Sequence, residues 1–227
     1  MRKDIVVWGL CLLFACSCTE NDKKAEQSET SGISSTATVS TNTKEGSQLF
    51  NTCVACHGQN AEGNQSLGAP SLVNQDDWYL IRQLENFKSG IRGADPSDVQ
   101  GTQMATMAKL LDSPDKVKAV VSHIKSLAPS STTKTIEGDP KAGKQYYSMI
   151  CGACHSEGAI GNEALNAPKL VGTDDWYLHK QYKNFADGIR GSHPEDTFGS
   201  QMQMMSTSLP DEEALLNVIA YIKSLEQ

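Results

Sequence analysis

The stretch Cys53-Val54-Ala55-Cys56-His57 decides the fold of this chain, and it recurs 98 residues later as Cys151-Gly152-Ala153-Cys154-His155. Each copy places two thiols within one helical turn and an imidazole directly after them. Thiols with this spacing reach the two vinyl groups of a haem, and the adjacent histidine lies beneath the iron. The motifs therefore predict two covalently attached haem c groups, bound by Cys53 and Cys56 and by Cys151 and Cys154, with His57 and His155 as iron ligands.

Two Cys-X-X-Cys pairs have other interpretations. They could hold one zinc ion, but zinc does not require a histidine directly after each pair. A thioredoxin-like redox pair lies beside a βαβ pattern, which this sequence lacks. Structural disulfides are plausible in an exported protein. Haem attachment is favoured because it also accounts for the two histidines.

The motifs belong to a long internal repeat with a constant offset of 98 residues. From Cys53 to Met107, 30 of 55 positions are identical to their counterparts, without a gap. The shared segments include Asp-Asp-Trp-Tyr-Leu at 76–80, Gly-Ile-Arg-Gly at 90–93 and Gly-X-Gln-Met-X-X-Met at 101–107. Each copy is long enough to fold around a ligand, so the repeat is a duplicated domain and not a short solenoid unit.

The sequence between these segments is typical of helices. Asp139-Pro140 is a good helix start, and apolar residues with helical spacing end each copy. No stretch shows sustained strand alternation. We expect an all-α protein with two tandem cytochrome c-like domains, each a few helices wrapped around one covalent haem. Domain one covers 44–127, a polar linker covers 128–138, and domain two covers 139–227.

A methionine at a constant distance from each histidine is the candidate for the second axial ligand. Met104 follows His57 by 47 residues, and Met202 follows His155 by the same number. A thioether opposite histidine raises the reduction potential of haem iron. Met107 and Met205 also repeat and leave the assignment open. Met104 and Met202 are favoured because they are expected in a loop before the last helix, where ligands are usually presented.

Several other repeated residues are candidates for contacts around the haem. The carbonyls of Pro70 and Pro168 could accept the Nδ1 hydrogen of the iron-bound histidines, or these could be ordinary turn prolines. Arg92 and Arg190 could pair with propionates, or could be solvated loop residues. Four aromatic residues could cover the haem edge, bond a propionate or pack in the core: Trp78, Tyr79, Trp176 and Tyr177.

The N-terminus predicts export and lipidation. Arg2 and Lys3 precede an apolar run over 5–15 that is too short to span a bilayer as a helix. Leu13-Phe14-Ala15-Cys16 resembles a bacterial lipoprotein cleavage box, which implies a signal peptide over 1–15 and acylation of Cys16. The serine after Cys16 favours the outer membrane, and the polar residues 16–43 predict a disordered tether. An ordinary signal peptide or an uncleaved anchor are the alternatives.

The net charge and the matched candidate ligands of the two copies exclude several classes of function. The formal net charge of −7 argues against a nucleic-acid partner, which needs a basic patch. A dihaem enzyme such as a peroxidase, or a gas or redox sensor, needs an iron with an open or labile position. Matched methionines in both copies favour a carrier that is not an enzyme.

With these motifs in the same order twice, the chain resembles the class I cytochromes c and, more narrowly, the dihaem cytochrome c4 family. The resemblance implies two small all-α domains related by a pseudo-twofold axis, with His/Met ligation at both irons. It also implies electron transfer with membrane respiratory complexes or a terminal oxidase or reductase in the periplasm. The lipoprotein-like start, the tether and the linker depart from the family pattern, as do the Asp-Asp-Trp-Tyr-Leu and Gly-Ile-Arg-Gly segments. The electron donor and acceptor therefore stay open.

Overall fold

A computed structural model describes residues 44–226, and its regular structure is helical apart from two isolated β-bridges at Asn64–Ala69 and Asn162–Ala167. The predicted all-α class is confirmed. The predicted signal peptide, the tether and the acylation site Cys16 lie outside the described residues. Within 44–226, none of the helices has both the length and the apolar character needed to cross a membrane.

The two copies have the same order of elements. Copy one contains α1 over 44–50, α2 (Val54–His57), a 3-10 turn (Gln65–Leu67), α3 (Asp77–Ser89), α4 (Val99–Ala108) and α5 (Pro114–Ser126). Copy two contains α6 (Pro140–Tyr146), a π-helical turn (Tyr147–Cys151), α7 (Gly152–His155), a 3-10 turn (Glu163–Leu165), α8 (Asp175–Ala186), α9 (Thr197–Met205) and α10 (Glu212–Ser224).

Side-chain caps explain where several helices begin. The carboxylate of Asp139 accepts a hydrogen bond from the backbone of Lys141 at 2.8 Å, and Pro140 occupies the first turn of α6. Ser113 caps α5 in the same way, ahead of Pro114. These contacts satisfy backbone N–H groups that have no partner within the helix. The helix start predicted at Asp139-Pro140 is confirmed.

The last helix of each copy supplies its apolar core. In copy one, one face of α5 is buried against Phe50 and Leu80, through Val117, Val120, Val121 and Ile124. In copy two, Val218 and Ile222 of α10 pack with Tyr147 and Ala159. Each fully buried side chain of this size contributes about 1.5–3 kcal/mol to stability. Each of these helices therefore forms one side of the apolar core of its own domain, α5 in copy one and α10 in copy two.

The structure corrects the expectation that Met104 and Met202 lie in loops. Met104 lies inside α4, and Met202 lies inside α9. Both helices begin at a buried aspartate: Asp98 accepts from the backbone of Gly101 at 3.0 Å, and Asp196 accepts from Gly199 at 2.9 Å. The cap satisfies an otherwise unpaired N–H and favours helix over loop.

Close backbone packing explains the last glycine of Gly-Ile-Arg-Gly. Gly93 has φ of 78°, and a Cβ there would lie 2.2 Å from the carbonyl oxygen of Gly101 in α4. Gly191 repeats the arrangement against Gly199 of α9. Only glycine fits both the conformation and the space. This close contact holds the arginine that precedes each glycine next to the helix that contains the candidate methionine.

The linker between the copies is bound to both of them. The side-chain amide of Asn74 donates to the carbonyl of Ser130 at 2.7 Å. The backbone of Thr135 and of Ile136 donate to the buried carboxylate of Asp175. The copies also meet directly, because the backbone of Ser71 donates to Asp174 at 2.7 Å. The two domains are therefore held together by specific polar contacts.

Candidate functional site

The structure places the two thiols of each motif around one short helical turn. Cys53 and Cys151 are half-buried at the N-terminal ends of α2 and α7, and Cys56 and Cys154 are exposed within these helices. Both pairs are free thiols and form no disulfide. Each pair is therefore available for two thioether bonds to one haem, as the sequence predicts.

Each histidine of the motifs is buried and held by a proline carbonyl. His57 donates from Nδ1 to the carbonyl of Pro70 at 2.8 Å, and His155 donates to the carbonyl of Pro168 at the same distance. Because a carbonyl only accepts, Nδ1 carries the hydrogen and Nε2 keeps a free lone pair. The structure thus favours the role that the sequence suggested for the two prolines.

The protonation of these histidines suits a metal ligand. Burial lowers the pKa of His57 and of His155, and the hydrogen bond to the proline carbonyl opposes that effect only in part. Loss of solvent disfavours the imidazolium form. At neutral pH both side chains are therefore neutral imidazoles with Nε2 ready to bind iron.

The candidate methionines differ in their position relative to these histidines. Met104 is half-buried and lines the same cleft as His57, whereas Met107 is exposed and lies outside that cleft. In copy two, Met202 and Met205 both line the cleft that contains His155, and Met205 is the more exposed. The placement favours Met104, and through the repeat Met202, over the alternatives.

In each copy, the histidine of the motif and the candidate methionine line the same apolar cleft. The walls of both clefts are mainly apolar, and each wall includes a thiol of the attachment motif, the imidazole and the thioether. Sites for organic cofactors have this character, an apolar lining with a few polar groups. The residues present in each cleft therefore fit a haem.

Four side chains line both clefts and form a hydrogen-bonded cluster with two arginines at the junction of the copies. They are Tyr79 and Gln83 from α3 and Tyr177 and Gln181 from α8. Arg92 donates to Gln83 at 2.7 Å, to Tyr177 at 2.7 Å and to Gln181 at 2.9 Å. We call these six residues the junction cluster.

Arg190 repeats these contacts with the copies exchanged. It donates to Gln181 at 2.8 Å, to Tyr79 at 2.9 Å and to Gln83 at 2.9 Å. Burial alone raises the pKa of the Tyr79 hydroxyl, but Arg190 and Arg92 outweigh it and hold the pKa below its usual value. The junction cluster is therefore strongly electropositive.

The cluster corrects one interpretation of the sequence and extends another. Arg92 and Arg190 are 6% and 8% exposed, so the alternative of solvated loop arginines is wrong. The Nε atoms of both are buried without a hydrogen-bond partner among the described residues. A buried N–H of a cation needs an acceptor, and the propionates of a haem supply carboxylates. The residues present thus fit haem in charge as well as in shape.

A zinc site would require several metal-binding side chains close together. Within residues 44–226, no group of three or more His, Cys, Asp or Glu side chains is arranged to hold a metal ion. Each histidine of the motifs is instead hydrogen-bonded to a proline carbonyl and lies in the cleft of its own copy.

Comparison with known proteins gives two matches to one family model. The model described as Cytochrome c matches residues 43–128 and 140–226, which together cover most of the chain. The two matched segments contain the two motifs and the two clefts. They leave out residues 1–42, 129–139 and 227.

Curated relatives include an electron acceptor of a dehydrogenase and a cytochrome c4. A thiosulfate dehydrogenase electron acceptor of Thiomonas intermedia (strain K12) is 32% identical over 63% of this chain and 66% of its own length. A cytochrome c4 of Stutzerimonas stutzeri is 29% identical over 84% of this chain and 93% of its own length. The present chain thus spans just under two thirds of the first relative and nearly all of the second.

A solved structure has the same fold. The crystal structure of reduced recombinant cytochrome c4 from Pseudomonas stutzeri matches with a TM-score of 0.60 at 23% identity. The match covers 80% of this chain and 97% of the crystallised one. At this identity the comparison supports the two-domain helical fold alone.

Proposed function

Since this chain belongs to the cytochrome c family and binds two haem c groups covalently, we propose that it is a periplasmic electron carrier between respiratory partners. We assign the thioether bonds to Cys53, Cys56, Cys151 and Cys154. We assign His57 with Met104 to the first iron and His155 with Met202 to the second. The haem iron supplies one-electron chemistry when bound.

One observation carries the carrier role: both clefts bring together the same two candidate iron ligands. In each, a buried imidazole is oriented by a proline carbonyl, and a methionine lines the same cleft. Chemistry at the iron requires an open or labile ligand position, as in peroxidases and sensors. A haem held between these two side chains would have no position for a substrate on its metal, so electrons would enter and leave through its edge.

The side chains around each cleft contribute to this role without bond making. The proline carbonyl fixes the tautomer and orientation of the histidine, so the imidazole would be held in one position when it binds iron. The apolar side chains of α5 and α10 that line the clefts would keep water from a bound haem, which favours the less charged reduced form.

A second candidate is the role of electron acceptor for one particular dehydrogenase. The relative named as a thiosulfate dehydrogenase electron acceptor supports a dehydrogenase as the electron donor. The resemblance to the cytochrome c4 family supports a terminal oxidase or another membrane complex as the acceptor. Both roles use the same two haems, and they differ only in the partner.

We propose that the mature chain is attached to a membrane, with the outer membrane favoured, through lipid on Cys16. The Leu13-Phe14-Ala15-Cys16 sequence supports this proposal. Several acyl chains on one cysteine hold a protein at a membrane firmly, whereas one chain binds only marginally. The polar residues 16–43 would then separate the haem domains from the lipid surface.

Electron transfer with isolated membranes tests the function. Oxidised holoprotein is mixed with thiosulfate alone, and reduced holoprotein is mixed with membranes of the source bacterium under air, with absorbance followed in both. The carrier role predicts no reduction by thiosulfate alone and rapid, cyanide-sensitive oxidation by the membranes. Turnover of thiosulfate or of peroxide by the isolated protein would contradict it and indicate an enzyme.

A further inference from the structure

The mouth of the second cleft is apolar and faces the solvent. Leu165, Phe198 and Met205 all line that cleft, and 50%, 40% and 42% of their respective surfaces are exposed. They come from two separate elements, since Leu165 ends a 3-10 turn and the other two lie in the first and last turns of α9. Single exposed apolar residues are ordinary on a protein surface, but several around one opening are typical of an interaction site.

The mouth of the first cleft has a different character. The counterpart of Phe198 is Gln100, which accepts a hydrogen bond from the side chain of Lys180 in the other copy. A polar contact between the copies thus occupies the position at which the second cleft exposes an aromatic ring. Within residues 44–226, none of the exposed large apolar side chains of copy one lines its cleft; they are Leu67, Val99, Met107 and Leu110.

The apolar mouth of the second cleft is held in place by contacts within the protein. Arg82 of copy one donates to the side chain of Asn166 at 2.7 Å and to its carbonyl at 2.9 Å. The same guanidinium lies 5.1 Å from the centre of the Phe198 ring. Arg82 therefore links the turn that ends at Leu165 to the first turn of α9. A surface that is already ordered loses less conformational entropy when a partner binds.

Two acidic side chains border this mouth. Glu163 begins the 3-10 turn that ends at Leu165, and Glu195 lies three residues before Phe198. Both are exposed, and neither takes part in an ion pair within residues 44–226. The corresponding residues of copy one are uncharged, Gln65 and Ser97. The second mouth therefore combines an apolar centre with a negatively charged border.

The two copies as a whole differ in charge in the same direction. Residues 139–227 contain twelve acidic and seven basic side chains, whereas residues 44–127 contain nine and eight, which gives formal charges of −5 and −1. A negative surface attracts a basic partner and increases the rate of productive encounter. The complementary partner for copy two is therefore a protein with a positively charged surface.

We propose that the mouth of the second cleft is a docking surface for a redox protein that presents an apolar patch surrounded by lysine or arginine side chains. Leu165, Phe198 and Met205 contact the patch, and Glu163 and Glu195 pair with the basic side chains. One electron passes between the redox centre of the partner and the second haem, so that one is oxidised as the other is reduced. The inference rests on the proposed carrier role and adds which domain receives this partner.

The test is an NMR titration of the isotope-labelled holoprotein at low ionic strength, with both proteins reduced. The probe is a lysine-rich mitochondrial cytochrome c, and the backbone amide resonances report where it binds. The largest shifts are expected over 163–166 and 195–205, and only small shifts over the matching segments 65–68 and 97–107. Binding should weaken as salt is added, because exposed charges are then screened. The same probe with acetylated lysines should bind far more weakly.

Single substitutions at exposed positions test each part of the surface with little risk to folding. Glu163→Gln and Glu195→Gln should each raise the Kd of the probe about threefold, as expected for the loss of one exposed ion pair. Leu165→Ser should raise it about fivefold, because a half-exposed leucine no longer contributes apolar contact. Leu67→Ser, at the same position of copy one, is the matched control and should leave the Kd unchanged.

Several results would overturn the proposal. They are the largest shifts on copy one, equal effects of Leu165→Ser and Leu67→Ser, tighter binding of the acetylated probe, and no binding of the lysine-rich probe at low ionic strength. Carbon monoxide binding by the wild type would instead contradict the carrier role. The affinities and shifts would still report on docking, because they do not depend on the ligands of the iron.

Discussion

The guanidinium of Arg92 donates a 2.7 Å hydrogen bond to the hydroxyl of Tyr177, 85 residues further along the chain, and Arg190 makes the matching contact to Tyr79 at 2.9 Å. The exchange of partners shows that the duplicated domains meet through the surfaces that line their own clefts. The interface and the cofactor sites are therefore built from the same residues.

The glutamines of the junction cluster should matter for stability. Gln83→Leu removes an acceptor that receives one hydrogen bond from Arg92 and one from Arg190. Both donors are charged and buried, so we expect a loss of about 3 kcal/mol in the free energy of unfolding. Urea unfolding of the holoprotein measures it. Gln48→Leu, at an exposed position of α1, is the control and should change little; equal midpoints for both variants would argue against a structural role for the cluster.

The buried carboxylate of Asp175 should anchor the linker. It accepts hydrogen bonds from the linker residues Thr135 and Ile136, whereas its counterpart Asp77 is exposed. In Asp175→Asn, the amide would face two backbone donors, and we expect a loss of about 3 kcal/mol. Asp77→Asn is the matched control. Thermal unfolding of both variants checks this, and a similar Tm for the two would show that the linker contacts contribute little.

The same carboxylate should make stability depend on pH. Burial raises the pKa of Asp175, but the hydrogen bonds from Thr135, Ile136 and Trp176 outweigh it and hold the pKa below its ordinary value. The contribution is thus complete above the ordinary pKa of an aspartate, about 3.9, and is lost as pH falls through the lower pKa of the folded state. The difference between wild type and Asp175→Asn should shrink in acid. A difference that stays constant across that range would mean that the carboxylate has an ordinary pKa.

Single substitutions should separate the proposed ligands from their neighbours. Met104→Ala and Met202→Ala should each open one iron to carbon monoxide and lower its potential, because the thioether that favours the reduced form is lost. Met107→Ala and Met205→Ala are the matched controls and should leave both properties close to the wild type. Carbon monoxide binding by Met107→Ala, with Met104→Ala unaffected, would reverse the assignment in the first domain.

The proposed lipid anchor can be tested at one residue. Cys16→Ala should move the protein from the membrane fraction to the soluble periplasmic fraction, because the acylated thiol is lost. Cys18→Ala, two residues away, is the control and should stay with the membranes. Mass spectrometry of the N-terminal peptide should give acyl groups on Cys16. A soluble wild-type protein would point to an ordinary signal peptide.

The internal repeat and the motifs within it allow much of the candidate site to be predicted from the sequence. The Cys-X-X-Cys-His spacing and the shared offset identify the candidate ligands, and the structure places His57 with Met104 in one cleft and His155 with Met202 in the other. The sequence leaves two roles open for Pro70, because a proline that accepts a hydrogen bond from His57 cannot be told from an ordinary turn proline by sequence. The structure shows the hydrogen bond. The helical setting of Met104 was missed, although Asp98 followed by Gly101 was a cap signal three residues apart.

The junction between the copies could not be read from the sequence. Gln83 and Gln181 recur at the repeat offset, but a repeated polar residue in a helix is equally consistent with a solvated face. Their role depends on how one copy packs on the other, which no local pattern encodes. For the same reason the burial of Arg92 and Arg190, and the binding of the linker by Asp175, emerge only from the three-dimensional structure.

In the proposed carrier, a histidine and a methionine bind the iron of each haem and leave no position open for another ligand. The most direct measurement is the absorbance spectrum of the holoprotein, oxidised and reduced, with a carbon monoxide titration of the reduced form. Histidine–methionine ligation at both irons predicts the weak long-wavelength band of an iron–methionine bond in the oxidised form, with an intensity for two such bonds, and no response to carbon monoxide. Loss of that band together with carbon monoxide binding at either haem would contradict it and point to an enzyme or a sensor.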